Sequence, residues 1–170
     1  NLAGQPTDDT EMALLLARTI PHAGRSARNT VLEAYIDWKA DPRTFDIGNT
    51  IRQALSAASQ GRNFQERLSF VERTANRSSQ ANGSLMRISP IGIYCAGKSD
   101  LAAEIALQES ALTHPNPVCG QSCAVFVAAI AKAIATGCGP RGAYEEALRQ
   151  ADRLGVDLAV SQALRRAEFT

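Results

Sequence analysis

Thr7-Asp8-Asp9-Thr10 sets two adjacent carboxylates between two hydroxyls at the head of an apolar helical stripe. Such a cluster can do two things. Thr7 or Asp8 can cap a helix, with the acidic side chains favouring the positive end of its dipole. Alternatively, two carboxylates and a hydroxyl offer hard oxygen ligands, the kind preferred by Mg²⁺ or Mn²⁺. A pair of such ions needs more than three ligands, so further carboxylates must come from elsewhere in the fold. Taken alone, the cluster reads first as a helix start.

The elements that must position it are helices. Met12, Leu15, Leu16 and Ile20 form an apolar stripe, and Pro21 is expected to end that helix. Val31, Ala34, Tyr35 and Trp38 repeat the spacing up to Asp41-Pro42. Ile51, Leu55 and Ala58 give a third stripe, ending near Gly61, and Phe64, Leu68 and Val71 a fourth. The polar run Asn76 to Ser84 reads as an ordered loop. Leu85 to Ala96 is apolar but holds Pro90, which predicts a short or kinked buried helix. Ser99 is the expected N-cap of a helix to about Leu112. An Ala- and Val-rich helix is predicted from Pro117 to Ala135, then one from Ala143 to Leu154 and a last from Leu158 to about Ala167. No segment alternates as a strand would, so the expectation is one all-α, compact multi-helix domain over residues 1–170.

Composition narrows the function classes. Net charge is +1, from 18 Lys+Arg against 17 Asp+Glu, which gives no support to a nucleic-acid or membrane-surface role. No apolar run reads as a membrane span. Cys95, Cys119, Cys123 and Cys138 form no Cys-x-x-Cys pattern and read as reduced, partly buried thiols of a cytoplasmic protein. Of the two histidines, His22 reads as surface. Among the later carboxylates, Glu104, Glu109, Glu145, Glu146, Asp152, Asp157 and Glu168 read as isolated, with Glu145, Glu146 and Asp152 on a solvated face.

Four segments in order carry a resemblance. They are Gly4-Gln5-Pro6-Thr7-Asp8-Asp9-Thr10-Glu11-Met12, Phe45-Asp46-Ile47-Gly48-Asn49-Thr50, Asn82-Gly83-Ser84-Leu85-Met86-Arg87 and Thr113-His114-Pro115-Asn116-Pro117. Together they resemble the motifs of the ADP-ribosylglycohydrolases. That resemblance implies a many-helix fold around a cleft with a binuclear Mg²⁺ or Mn²⁺ centre, and Thr7, Asp8 and Asp9 as ligands. It implies hydrolysis of the bond between ribose C1″ and an acceptor, often arginine, so that the partner is an ADP-ribosylated protein or ADP-ribose. Asp8, Asp9 and Asp46 are then the catalytic candidates, Asp46 beside the ribose at the scissile bond. Gly48, Asn49 and Thr50 open a helix and can hold phosphate or ribose. Asn82, Gly83 and Ser84 can bring backbone close to a diphosphate, and His114 can donate to a ribose hydroxyl or hold a carboxylate in place. For Asp46 an N-cap or Asx-turn, for Gly83-Ser84 a left-handed turn and cap, and for His114 a structural hydrogen bond to backbone are the structural alternatives.

The resemblance also marks absences. Family members carry a Gly-rich segment with Gly-Asp and Glu upstream of the acidic motif, and an Asp-x-Asp-Thr motif downstream. Asn1 starts after the first, and nothing after Asp100 matches the second. The expectation is that this chain carries the middle of the domain and half of the ligand set, as a fragment of a longer protein, as one part of a split enzyme completed by a complementary polypeptide, or as a shortened, non-catalytic relative. The alternatives to hydrolysis are a non-catalytic module binding ADP-ribose or an ADP-ribosylated protein, and an antagonist of an ADP-ribosylating toxin. A purely structural protein is disfavoured by the intact ligand motifs.

Overall fold

A computed structural model describes residues 4–23 and 27–167, the side chains of 21–23 and 27 excepted. The predicted positions of His22 on the surface and of Glu168 fall outside the described side chains. The described elements are helices: α1 (Asp8–Ala23), α2 (Ala27–Ala40), α3 (Asn49–Ala58), α4 (Phe64–Thr74), α5 (Ser89–Tyr94), α6 (Ser99–Ser110), α7 (Pro117–Thr136), α8 (Pro140–Leu154) and α9 (Leu158–Arg166), with a 3₁₀ turn Leu85–Arg87 before α5.

Local chemistry sets many of the boundaries. Asn63 accepts from the Glu66 N–H at 3.0 Å and Asn116 from the Val118 N–H at 2.9 Å, capping α4 and α7. Asp157 does the same for α9 through the Ala159 N–H at 2.8 Å. Gly137 ends α7 and Gly155 ends α8, with φ of 64° and 56°, a left-handed turn that costs glycine little. α8 starts at Pro140, ahead of the expected Ala143, and two other boundaries also differ from expectation. Pro21 does not stop α1, which continues to Ala23. A proline near the end of a helix forfeits one ladder bond without forcing an immediate stop. Ser99 is not a cap but the first residue of α6, and its hydroxyl donates to the Ala128 carbonyl of α7 at 3.3 Å.

The core is built around α7, which packs against α5, α6 and α8. Contrary to the reading of the sequence, α7 is long and apolar enough to cross a membrane by length and composition. Here its Cys123, Ala124, Val127, Ala128 and Ala131 are buried against its neighbours, which is the use a core helix makes of the same composition. Small residues allow close approach: a Cβ on Gly92 of α5 would sit 2.7 Å from Ile130 Cβ. The main core joins Met12, Leu16, Leu32, Tyr35, Leu55, Ile88, Ile91 and Leu112. A smaller cluster of Val125, Ala147, Ala151 and Val160 ties α8 and α9 to the far side of α7.

Candidate active site

The start of α1 and the loop before α3 meet. Asp8 is buried while Thr7 and Asp9 are exposed beside it. The Thr7 hydroxyl donates to Asp9 Oδ2 at 3.2 Å, and the Asp9 N–H donates to Asp8 Oδ1 at 3.1 Å. The Gly48 N–H lies near enough to the Asp8 carboxylate to favour its ionised form, and the charge of Asp46 is felt there as well. Burial, the Asp46 charge and the Asp9 charge together raise the Asp8 pKa above the ordinary carboxylate value, against the opposing pull of Gly48. Asp8, Asp9 and Asp46 therefore form one patch of crowded negative charge. Glu11 is committed elsewhere, accepting from Trp38 Nε1 at 2.7 Å.

The patch suits a divalent cation in kind: hard oxygens and uncompensated negative charge, with a hydroxyl alongside. Among the described residues, however, no three His, Cys, Asp or Glu side chains are gathered closely enough to hold a metal ion. Thr7, Asp8 and Asp9 fit as part of a ligand set.

The other predicted segments close on the same end of the molecule. At the start of α3, Asn49 and the preceding Gly48 are exposed, and space for a Cβ on Gly48 is open, so no protein atom demands glycine there. Thr50 is not free to reach outward: its hydroxyl lies 3.0 Å from Ser79 Oγ and ties α3 to the polar loop 76–84. That loop is ordered by Asn76, which accepts from the Ser78 and Ser79 N–H groups at 3.0 and 3.1 Å. The start of α7 holds it from the other side, with the Asn116 amide donating to the Arg77 carbonyl at 2.9 Å.

Asn82 is exposed on that loop, but Gly83 and Ser84 are buried. Gly83 has no left-handed φ, so the turn is not the reason for glycine. A Cβ there would lie 2.9 Å from His114 Nε2 and 3.0 Å from Ile51 Cδ1. The Ser84 hydroxyl accepts from Ser110 Oγ at 2.9 Å and from Cys123 Sγ at 3.5 Å, and Ser84 is fully buried. Its side chain is thus part of the packing between the loop, α6 and α7 and makes no cap hydrogen bond. His114 is 1% exposed, its Nδ1 is 2.8 Å from Thr113 Oγ1, and its Nε2 has no partner among the described residues. Burial and the positive Arg87 lower its pKa to about 4.

Beneath these groups lies a centre that the sequence reading missed. Arg87 is fully buried and donates from Nε to Glu109 Oε1 at 2.7 Å, from Nη1 to the Gly83 carbonyl at 3.1 Å and from Nη2 to Thr113 Oγ1 at 2.8 Å. Its guanidinium carbon stands 4.7 Å from the centre of the Tyr35 ring, whose hydroxyl donates to the same Glu109 oxygen at 2.7 Å. Burial alone would lower the Arg87 pKa, but Glu109 outweighs it and holds the guanidinium charged. Glu109 is therefore not an isolated carboxylate. The available signal was a lone arginine inside an apolar run, since a buried charge requires a partner. Glu146 is likewise 8% exposed and not on a solvated face, accepting from Arg149 Nη2 at 2.7 Å. Cys95, Cys119 and Cys123 are buried free thiols, with Cys123 pushed up to about 12 by burial.

Comparison with known proteins fits this arrangement. The ADP-ribosylglycohydrolase family model matches residues 1–170. The ADP-ribosylarginine hydrolase Tri1 of Pseudomonas putida (strain GB-1) is 30% identical over 118 residues, 66% of this chain and 30% of the relative. The ADP-ribosyl-dinitrogen-reductase glycohydrolase of Rhodospirillum rubrum is 27% identical over 146 residues, 86% of this chain and 47% of that protein. The chain thus spans from about a third to about half of the length of these relatives.

Proposed function

The chain belongs to the ADP-ribosylglycohydrolase family, and from that premise we propose that it serves the metal-dependent hydrolysis of the ribosyl C1″ bond, releasing ADP-ribose from arginine-modified protein. The proposal applies to the complete catalytic assembly, of which this chain supplies Thr7, Asp8 and Asp9 as ligands and Asp46 at the scissile bond. The observation that carries it is the meeting of Asp8 with Asp46 and the Gly48 N–H, which joins the start of α1 to the loop before α3. A glycosidic cleavage of this kind passes through an oxocarbenium-like state, for which a carboxylate beside C1″ is suited. The Asp46 carboxylate accepts the proton of the attacking water. Asn49 and the backbone of Asn82-Gly83-Ser84 bind the nucleotide portion, and the free His114 Nε2 donates to a ribose hydroxyl. The chemistry that bound Mg²⁺ or Mn²⁺ supplies is polarisation and orientation of ribose hydroxyls and of a water. The buried unpaired thiols support a reducing, cytoplasmic setting.

Release of ADP-ribose from an arginine-ADP-ribosylated protein, followed with Mg²⁺ or Mn²⁺ and again with chelator, tests the reading. Turnover that depends on the cation and disappears in the Asp8→Ala, Asp9→Ala double variant is the expected result. Unchanged turnover in that variant would exclude the metal role. A second reading, binding of ADP-ribose without hydrolysis by this chain alone, is favoured by one observation: the described residues gather no three metal-ligating side chains. Calorimetry with ADP-ribose on the chain alone separates the two, since binding without turnover supports the second.

A further inference from the structure

Of the groups that surround the Gly83 loop, one lies beneath the candidate ligand positions and holds two of them. We propose that Arg87, held by Glu109 and acting through Thr113, is the positioning residue of the ADP-ribose site: it sets the Gly83–Ser84 peptide and the tautomer of His114. The proposal rests on the reading that this loop and His114 hold ADP-ribose.

The first half of the argument is peptide geometry. Arg87 Nη1 draws the Gly83 carbonyl inward at 3.1 Å. In a trans peptide the carbonyl and the following N–H point in opposite directions, and the chain has no cis peptide among its described residues. The Ser84 N–H is therefore turned away from Arg87, within a residue that is itself fully buried. Glycine at 83 is also what lets the His114 ring lie against this peptide, since a Cβ would stand 2.8 Å from His114 Cε1.

The second half is proton accounting. A guanidinium can only donate, so Thr113 Oγ1 must accept from Arg87 Nη2 at 2.8 Å. The Thr113 hydroxyl has one hydrogen, and the 2.8 Å contact to His114 Nδ1 is where it goes. Were Nδ1 to carry the proton instead, the hydroxyl hydrogen of a fully buried threonine would be left without an acceptor, a costly arrangement. Nδ1 is therefore an acceptor, and the ring proton sits on Nε2. That nitrogen is buried and has no partner among the described residues. Arg87 thus fixes one peptide orientation and one ring tautomer, and with the latter the unpartnered His114 Nε2–H, from one buried charge. Glu109 keeps the guanidinium in place through Nε at 2.7 Å.

The test has two readouts on the full chain. Nitrogen chemical shifts of ¹⁵N-histidine report the tautomer directly, and with two histidines the assignment is simple. Titration with ADP-ribose in the presence of Mg²⁺ reports the site. The wild-type chain should show His114 as the neutral Nε2–H form at pH 7. Thr113→Val keeps the shape and removes the hydroxyl. It should lose the fixed tautomer and weaken ADP-ribose about tenfold, and Thr113→Ser should restore both. A wild-type His114 that is Nδ1–H or cationic overturns the relay without reference to any ligand. Unchanged ADP-ribose affinity in a folded Thr113→Val that has lost the tautomer overturns the positioning role. If wild type does not bind ADP-ribose, the site reading falls and takes the positioning role with it, while the nitrogen spectrum still decides the relay.

Discussion

Gly83 and His114 share one van der Waals envelope: a Cβ on Gly83 would lie 2.8 Å from His114 Cε1 and 2.9 Å from Nε2. Ile51 closes the third side at 3.0 Å. The glycine is thus demanded by a side-chain contact between distant segments and not by backbone conformation, since its φ is not positive.

Gly83→Ala should accordingly overpack the loop. The expected cost is about 1–3 kcal/mol in a chemical denaturation experiment. Ile51→Val removes one of the opposing methyl groups, so the double variant should recover part of that loss. If Gly83→Ala melts like wild type, the ring does not sit where the structure places it. Affinity for ADP-ribose should fall in the same variant, because the loop can relieve the contact only by moving the peptide.

The Arg87–Glu109 pair should behave as a buried ion pair does. Both side chains are sealed from solvent, and their contact is 2.7 Å. Arg87→Leu leaves Glu109 buried against Tyr35 with no cation, and a loss of about 3–5 kcal/mol is expected. Arg87→Leu combined with Glu109→Leu should be more stable than Arg87→Leu alone, because neither charge is stranded. A denaturation midpoint for the double variant below that of Arg87→Leu would contradict this.

These two relationships separate what the sequence makes legible from what it does not. The helices were readable because apolar residues recur with helical spacing, as at Met12, Leu16 and Ile20, all buried in α1. The ends set by Asn116 and Gly137 follow from capping chemistry that any sequence displays. The acidic cluster was recognisable from residue type, although only the fold brings Asp46 to Asp8. Partners across the chain are another matter. Arg87 and Glu109 lie on different elements, and nothing in either neighbourhood names the other. Glu146 looked solvated because its helix is polar overall, yet Arg149 and Gln150 cover it. Pattern reveals which face is apolar, and it does not reveal which polar group the packed core will enclose.

The depressed pKa of His114 makes a prediction about pH. In the fold it titrates near 4, against an ordinary value of 6.5, because burial and Arg87 both disfavour the cation. Above pH 6.5 the ring is neutral in folded and unfolded chains, so its contribution is fully present. As pH falls below 6.5 the unfolded chain takes up a proton that the fold refuses, and stability declines until about pH 4. The span corresponds to roughly 3 kcal/mol. His114→Gln should remove that component, so the difference between wild type and variant should shrink across this window when stability is measured against pH. A difference that stays constant from pH 7 to about 4 would show that the histidine is not buried as a neutral ring.

Asp8 gives the opposite sign and the clearest separation of stability from function. Its pKa is raised, first by burial and then by Asp46 and Asp9, so the ionised carboxylate is held in the fold at a cost. Lowering the pH through its folded pKa toward the ordinary 3.8 should relieve that cost, because the folded chain binds the proton more readily than the unfolded one. Asp8→Asn mimics the relief at neutral pH. It should raise the melting temperature of the cation-free chain, by the equivalent of about 1 kcal/mol. Adding Mn²⁺ to wild type should produce a similar gain through neutralisation of the patch, and adding it to Asp8→Asn should produce less. Two melting curves for each protein, with and without the ion, decide the matter. If Asp8→Asn is destabilised in the absence of cation, the carboxylate is a structural cap of α1 and its charge is not what the fold is holding in reserve for a ligand.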